Sequence, residues 1–362
     1  MPVQEPASER SQPVSGTQTA FDSAKSFRPE CIPGPWRKGR CSAHGWGDIG
    51  TLPEGLMVAE KPGVVRLKER FGCALTVDVE EWYHTCLVPG YIDPVGRPSL
   101  PDELDWLLPE LLDTLAEAGC TATFFVLGEV AERLPRRIRE IAAAGHEVGS
   151  HGYLHFRAFD RTPEAFARDL LRSKDLLEEL LGEPVLGFRA PEWSLRGLGS
   201  SRLPLVAEAG FLYDSSLTPC PIAGRPTNPR FASRLHWNGS GPAADLLEFP
   251  PLTFGGPLRL PAGSWTGRLV NPWRLVRAAI DHLEDGGLPV AVVHPWEISG
   301  RPTPGPLTGL ARFVHETGRP GFDARFRDLL RGLPWRSIRG AAGLEGDSLG
   351  RPIEARTSLK AG

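Results

Sequence analysis

The sequence predicts an α/β chain with parallel strands, arranged as a barrel or a sheet, and three observations carry that prediction. Short runs rich in β-branched and aromatic residues alternate with stretches of helical periodicity. The connections between them are short. Polar residues able to do chemistry stand where the runs end, as they do on one face of a parallel barrel. The chain has 362 residues, enough for a barrel of about 250 residues with extensions at both ends.

Residues 1–66 are rich in Pro, Gly, Ser and charge without a sustained period, which predicts a disordered or loosely attached extension. The first strand is residues 74–79, an apolar run carrying Asp78 near its end and followed at once by Glu80 and Glu81. Residues 99–119 predict a helix, since Leu104, Leu107, Leu108, Leu111, Leu112 and Leu115 share one face and Gly119 suits the stop. Residues 121–127 and 146–150 are the second and third strands, with a short basic helix at 135–144 between them. Thr162-Pro163 is a helix start, a cap followed by proline at the first position, and Gly182 is the matching stop. Strands four and five are 185–188 and 211–214, separated by a helix at 202–209. Prolines and glycines make 217–244 a long loop. A sixth strand at 246–249, a helix opened by Asn271-Pro272 and a last strand at 288–293 complete seven strands. Two short helices fit between 307 and 330, and the polar tail after 338 reads as loose.

Composition narrows the function. A net charge of -3 makes no general case for nucleic acid or an acidic membrane surface. The six cysteines form no C-x-x-C pair, so they read as small buried residues rather than a zinc knuckle or a disulfide framework. No apolar run reaches about 18 residues, the length of a membrane span. The first residues lack the basic-then-apolar order of a secretory signal, which favours the cytoplasm without excluding work on the periplasmic side. Oligomeric state leaves no trace in the sequence.

Five polar signals share one placement, the end of a strand: Asp78 with Glu80, His151 with His155, Arg189, Asp214 and His294. Two neutral imidazoles and a carboxylate form an open site for a divalent metal, with room left for water and substrate. The carboxylate is Glu80, with Glu81 the alternative. Asp78, two residues earlier on an extended segment, points the same way as Glu80 and can act as a general base. Arg189 is the counter-charge that keeps Asp78 ionised. His294 reads as a general acid, its imidazole kept protonated by donating a hydrogen bond to Asp214. Trp193, Trp265 and Trp296, with Trp82 and Tyr83, offer flat apolar walls that suit the faces of sugars.

Residues 67–330 resemble the polysaccharide deacetylases of carbohydrate esterase family 4, the nodulation-factor deacetylase homology domain. Thr76-Val-Asp-Val-Glu is similar to that family's first motif and Ser150-His-Gly-Tyr-Leu-His155 to its metal-histidine motif. Phe188-Arg-Ala-Pro191 is similar to its arginine-x-proline motif, Tyr213-Asp-Ser-Ser216 to its fourth motif and Val293-His294 to its fifth. Asp-Val-Glu-Glu-Trp-Tyr-His and His-Pro-Trp-Glu-Ile resemble the branch found with bacterial exopolysaccharide and exosortase gene clusters.

The resemblance implies a distorted (β/α) barrel of about seven parallel strands. It places the catalytic barrel at 67–294, an extra C-terminal segment packed on it at 295–338, and a loose tail at 339–362. It implies Asp78 as base, Glu80, His151 and His155 as ligands of a divalent metal, usually zinc, Arg189 as orienter of the base, and His294 as acid tuned by Asp214. Pro191, Glu192, Trp193 and Trp296 fall to substrate, with the Glu192 N–H holding an oxyanion. The sequence departs from the family where Val79 replaces a second acid, where Glu80 replaces an aspartate ligand, and where Glu192 replaces a tyrosine. The implied reaction is hydrolysis of the N-acetyl group of an N-acetylated sugar polymer or oligosaccharide. Its rivals are an amide hydrolase on a non-sugar substrate, a non-catalytic carbohydrate-binding barrel, and a scaffold working through residues 1–66.

Overall fold

A computed structural model describes residues 61–69, 71–95, 97–237 and 244–344, all within the compact unit that spans 52–362. The expected extension up to residue 60, and the tail from 345 onward, lie outside the described residues.

Among the described residues, ten strands form one sheet. They are β1 (Gly63–Arg66), β2 (Cys73–Val79), β3 (Thr123–Val126), β4 (Glu147–Ser150), β5 (Gly187–Phe188), β6 (Tyr213–Asp214), β7 (Ser233–Trp237), β8 (Ala244–Glu248), β9 (Val290–Val293) and β10 (Trp335–Arg336). Eight of them are parallel: seven in the order β8-β6-β5-β4-β3-β2-β9, the seven that the sequence marks as strands, and β10, which pairs with the start of β2. The sheet is barrel-like but not closed. Between β8 and β9 there is no ladder, and a backbone hydrogen bond of 2.9 Å from Leu252 N–H to the Val290 carbonyl crosses the gap.

β2 is central, paired with β3 on one edge and β9 on the other, and every residue in it is buried. A strand covered on both faces needs an uninterrupted apolar run, which Cys73–Val79 has except at Thr76 and Asp78. Helix Leu104–Glu117 buries Leu104, Leu108, Leu111 and Leu115 in the same core as Val77 and Val79, and Leu107 in a separate cluster with Trp82 and Tyr83. Helix Pro163–Leu181 begins as its sequence asks. The Thr162 hydroxyl accepts from Ala165 N–H at 3.2 Å, and Gly182, at φ 71°, ends it in the left-handed conformation that glycine adopts without strain.

Three expectations are corrected. Gly63–Arg66 belongs to the sheet, pairing antiparallel with β7, so the fold begins before residue 67. The long loop expected at 217–244 holds β7, which pairs antiparallel with β8. The tail does not loosen at 339: helix Ile338–Ala341 buries Ile338 and Ala341, and Leu344 is buried as well. Ile338 N–H donates to Thr123 Oγ1 at 2.8 Å and Arg339 N–H to Glu147 Oε2 at 3.0 Å. Thr123 and Glu147 open β3 and β4, so this segment plugs the N-terminal end of the strands, opposite the polar residues. No helix among the described residues is long and apolar enough to cross a membrane.

Candidate active site

Parallel strands deliver their C-terminal ends to one face, and the chemistry-bearing residues arrive there together. Asp78 lies in β2 and Glu80 directly after it, His151 follows β4, Arg189 follows β5, and His294 follows β9. They meet at a cavity of about 330 Å³, lined by Asp78, Glu80, His151, His155, His294 and the aromatic residues Trp193, Trp265 and Trp296.

Glu80, His151 and His155 each present a ligand atom, and these atoms lie within 4.8 Å of one another. Glu80 Oε2 is 2.6 Å from His155 Nε2, yet it is buried with no hydrogen-bond partner among the described residues. A buried carboxylate oxygen left in that state is costly, and a cation between the two groups removes the cost. His151 Nδ1 lies 2.7 Å from the Arg189 carbonyl; it must carry the proton there, which leaves the Nε2 lone pair free to coordinate. The loop is shaped by Gly152 at φ 83° and by Asp169, whose carboxylate accepts from Tyr153 N–H at 2.8 Å and Leu154 N–H at 3.4 Å. The donor set therefore fits a divalent metal. Burial drives His151 down to about 4, so it is neutral as a ligand must be. Burial would raise Glu80, but His155 and His294 overrule it and hold the carboxyl low.

Asp78 Oδ1 accepts from Arg189 Nη1 at 2.7 Å, and its Oδ2 stands 3.9 Å from His294 Nε2. Arg189 is fully buried and spends its other donors on Thr76 Oγ1 at 2.7 Å, Ser215 Oγ at 2.8 Å and the Ser215 carbonyl at 3.1 Å. Its guanidinium carbon sits 4.3 Å from the Phe125 ring centre. A planar ion held on so many sides is an orienter that cannot drift from its carboxylate.

His294 caps a short helix, Pro295–Ile298, and Glu297 is its third residue. Glu297 Oε2 accepts from the His294 backbone N–H at 3.0 Å and lies 2.8 Å from its Nδ1. Glu297 Oε1 is 2.9 Å from Arg268 Nε, and both side chains are fully buried. Arg268 in turn donates to the carbonyls of His315 and Val314, each at 2.7 Å. Burial alone would depress His294; the carboxylates of Glu297, Glu80 and Asp78 lift it to about 9.

Four expectations change here. Asp214 does not tune His294. Its carboxylate accepts from the Ser216 hydroxyl at 2.5 Å and Ser216 N–H at 3.2 Å, and burial pushes it up to about 6. Because Ser216 Oγ accepts from Ala190 N–H at 2.8 Å, Asp214 braces the Arg189 loop from beneath, and Glu297 takes the role expected of it. Glu81 is not a ligand: its oxygens accept from Glu103 N–H at 2.8 Å and Leu104 N–H at 3.2 Å, capping helix Leu104–Glu117, with Arg133 3.2 Å away. Trp82 and Tyr83 are buried in a separate apolar cluster, their polar atoms bonded to the Pro101 carbonyl and Asp102, and they form no cavity wall. Pro191 lies under the wall, opening the turn Pro191–Trp193 in which Glu192 (φ 53°) and Trp193 (φ 51°) are left-handed. The Glu192 carboxylate accepts from Cys86 N–H at 3.1 Å, clasping two loops at the cavity rim.

Residues 102–200 match the family model described as polysaccharide deacetylase. That stretch is therefore similar to a polysaccharide deacetylase domain. Residues 215–342 match a second model, a domain of unknown function (DUF3473). A stretch of 137 residues is 31% identical to a peptidoglycan deacetylase of Helicobacter pylori, covering 36% of this chain and 46% of that protein. Another of 47 residues is 51% identical to a chitooligosaccharide deacetylase of Sinorhizobium fredii, covering 13% of this chain and 22% of that protein. The chain thus spans less than half the length of these curated relatives. Among solved structures, a family 4 carbohydrate esterase from Streptomyces lividans is similar at TM-score 0.39 and 16% identity, over 74% of this chain and 91% of that one. The stretch matched to the deacetylase model holds His151, His155 and Arg189, while Asp78 and Glu80 precede it. His294, Glu297 and Arg268 fall in the stretch matched to the domain of unknown function, so the two matched stretches contribute to one cavity.

Proposed function

We propose that this chain removes N-acetyl groups from an acetamido sugar of a polymer or oligosaccharide, in exopolysaccharide synthesis, with zinc held by Glu80, His151 and His155. The observation that carries the reading is the flanking of that ligand set, in one cavity, by a carboxylate fixed to an arginine and an imidazole fixed to a carboxylate. When bound, the cation supplies an electrophile for the acetamide carbonyl and acidifies water.

The rest is the work of the side chains. Arg189 holds Asp78 ionised and aimed, so Asp78 takes the proton from water as the oxygen adds to the acetyl carbon. The backbone N–H of Glu192 receives the oxygen that turns anionic. Protonated His294 gives its proton to the nitrogen, and the C–N bond breaks to acetate and a free amine. Glu297 restores the proton affinity of His294 for the next turnover. Trp193 and Trp296 hold the sugar ring. Purified protein should release acetate from N-acetylated oligosaccharides and stop when a chelator is added; acetate released equally well without metal would overturn the assignment. A panel including non-sugar acetamides separates a deacetylase of glycans from a general amide hydrolase.

A further inference from the structure

Between the turn at Pro191 and residue 196, three residues other than glycine adopt positive φ: Glu192, Trp193 and Arg196, the last at 67°. Backbone strain of this kind persists only where surrounding contacts enforce it, and it clusters at sites that hold ligands. Contacts around Arg196 do so. Its carbonyl accepts from the buried Asn228 side chain at 2.9 Å, and its guanidinium carbon lies 4.4 Å from the centre of the Phe159 ring. Arg157 lies over the same ring at 4.9 Å, but its charge is spent on Asp160 at 2.7 Å. Arg196 lines the catalytic cavity, its side chain is exposed, and among the described residues it pairs with no carboxylate. The other two arginines bearing on the cavity, Arg189 and Arg268, are neutralised by Asp78 and Glu297.

A prepositioned guanidinium in the cavity wall, without a carboxylate partner, is a reader of anions. We propose that Arg196 is a specificity-determining residue that selects glycans bearing an acidic group, a carboxylate or a phosphate, beside the N-acetylated sugar. This rests on the deacetylase reading for the position of the sugar, but the anion site stands on its own geometry.

The test uses the full chain loaded with zinc and three oligosaccharides of equal length: neutral N-acetylated, N-acetylated with a neighbouring uronic acid, and N-acetylated with a neighbouring phosphate. Acetate release gives kcat and KM, and quenching of tryptophan fluorescence gives binding. The wild type should prefer one of the acidic glycans, and which one identifies the group. In Arg196→Gly, which suits a φ of 67°, the preference in kcat/KM should fall about tenfold, through KM rather than kcat. Arg196→Lys should keep part of the preference and lose it faster as salt rises. An equal preference in wild type and Arg196→Gly, or no preference in the wild type, overturns the proposal while leaving deacetylation intact. Binding of an acidic glycan that depends on Arg196, with no acetate from any glycan, sustains the anion site and removes the deacetylase reading.

Discussion

His151 and His294 line the same cavity, and the interior drives them in opposite directions. His151 falls to about 4 and His294 rises to about 9. Burial opposes charge on both. What differs is the group that meets Nδ1, a peptide carbonyl for His151 and the Glu297 carboxylate for His294. A carbonyl dipole orients a ring and fixes one proton on Nδ1 without stabilising a second, charging proton; a buried carboxylate does both. The same side chain thereby becomes a lone pair for a cation on one wall and a proton for a leaving group on the other.

The comparison breaks most visibly on the neutral side. His151→Ala should lose bound metal, and acetate release should fall by about a thousandfold or more. Turnover at the wild-type rate would show that His151 is only a packed ring. Asp78→Asn keeps the ligand set and removes the base, so kcat should fall about 100- to 10,000-fold while metal analysis still finds the cation. The cationic side is sharpened by Glu297→Gln, which preserves shape and deletes charge. His294 then loses the leading cause of its elevation, and the basic limb of the kcat profile should move down from near 9 by about one to three pH units. A limb that stays put would return the tuning role to another group.

The smallest effect concerns a third histidine, His282, which is stacked on Phe231 and driven down to about 4, chiefly by burial. Its folded value lies below the unfolded value of about 6.5. The stability it contributes is therefore full above about pH 6.5 and is lost as pH falls toward 4. Thermal melts between pH 7 and 4 should show a decline that is shallower in His282→Gln. An unchanged slope would mean that burial without a carboxylate does not suffice to keep an imidazole neutral here.

Much of this was legible in the sequence because strand ends are local. A buried β-branched run that stops at an acid, a histidine or an arginine announces both the strand and the site, so Asp78, Glu80, His151, His155 and Arg189 could be placed before any coordinates. What failed was pairing at long range. Asp214 stands at a strand end like the others, and nothing local says that Ser216 claims its oxygens. Glu81 caps a helix that starts 23 residues later, a partnership that only the fold creates. Glu297 did leave a signal: His294-Pro-Trp-Glu297 has proline at the first helical position and glutamate at the third, the spacing of a capping box. β1 and β7 were hidden because β1 pairs with β7, and β7 with β8, at the antiparallel end of the sheet, amid proline and glycine, without the helix-strand alternation that marks the rest.

A cation shared by one carboxylate and two imidazoles is what the proposed chemistry requires, and metal stoichiometry of the purified chain tests it directly. One zinc per chain is expected in the wild type and in Glu81→Gln, and close to none in Glu80→Ala combined with His151→Ala. A full equivalent retained by that double variant, or a loss caused by Glu81→Gln in a folded chain, would contradict it.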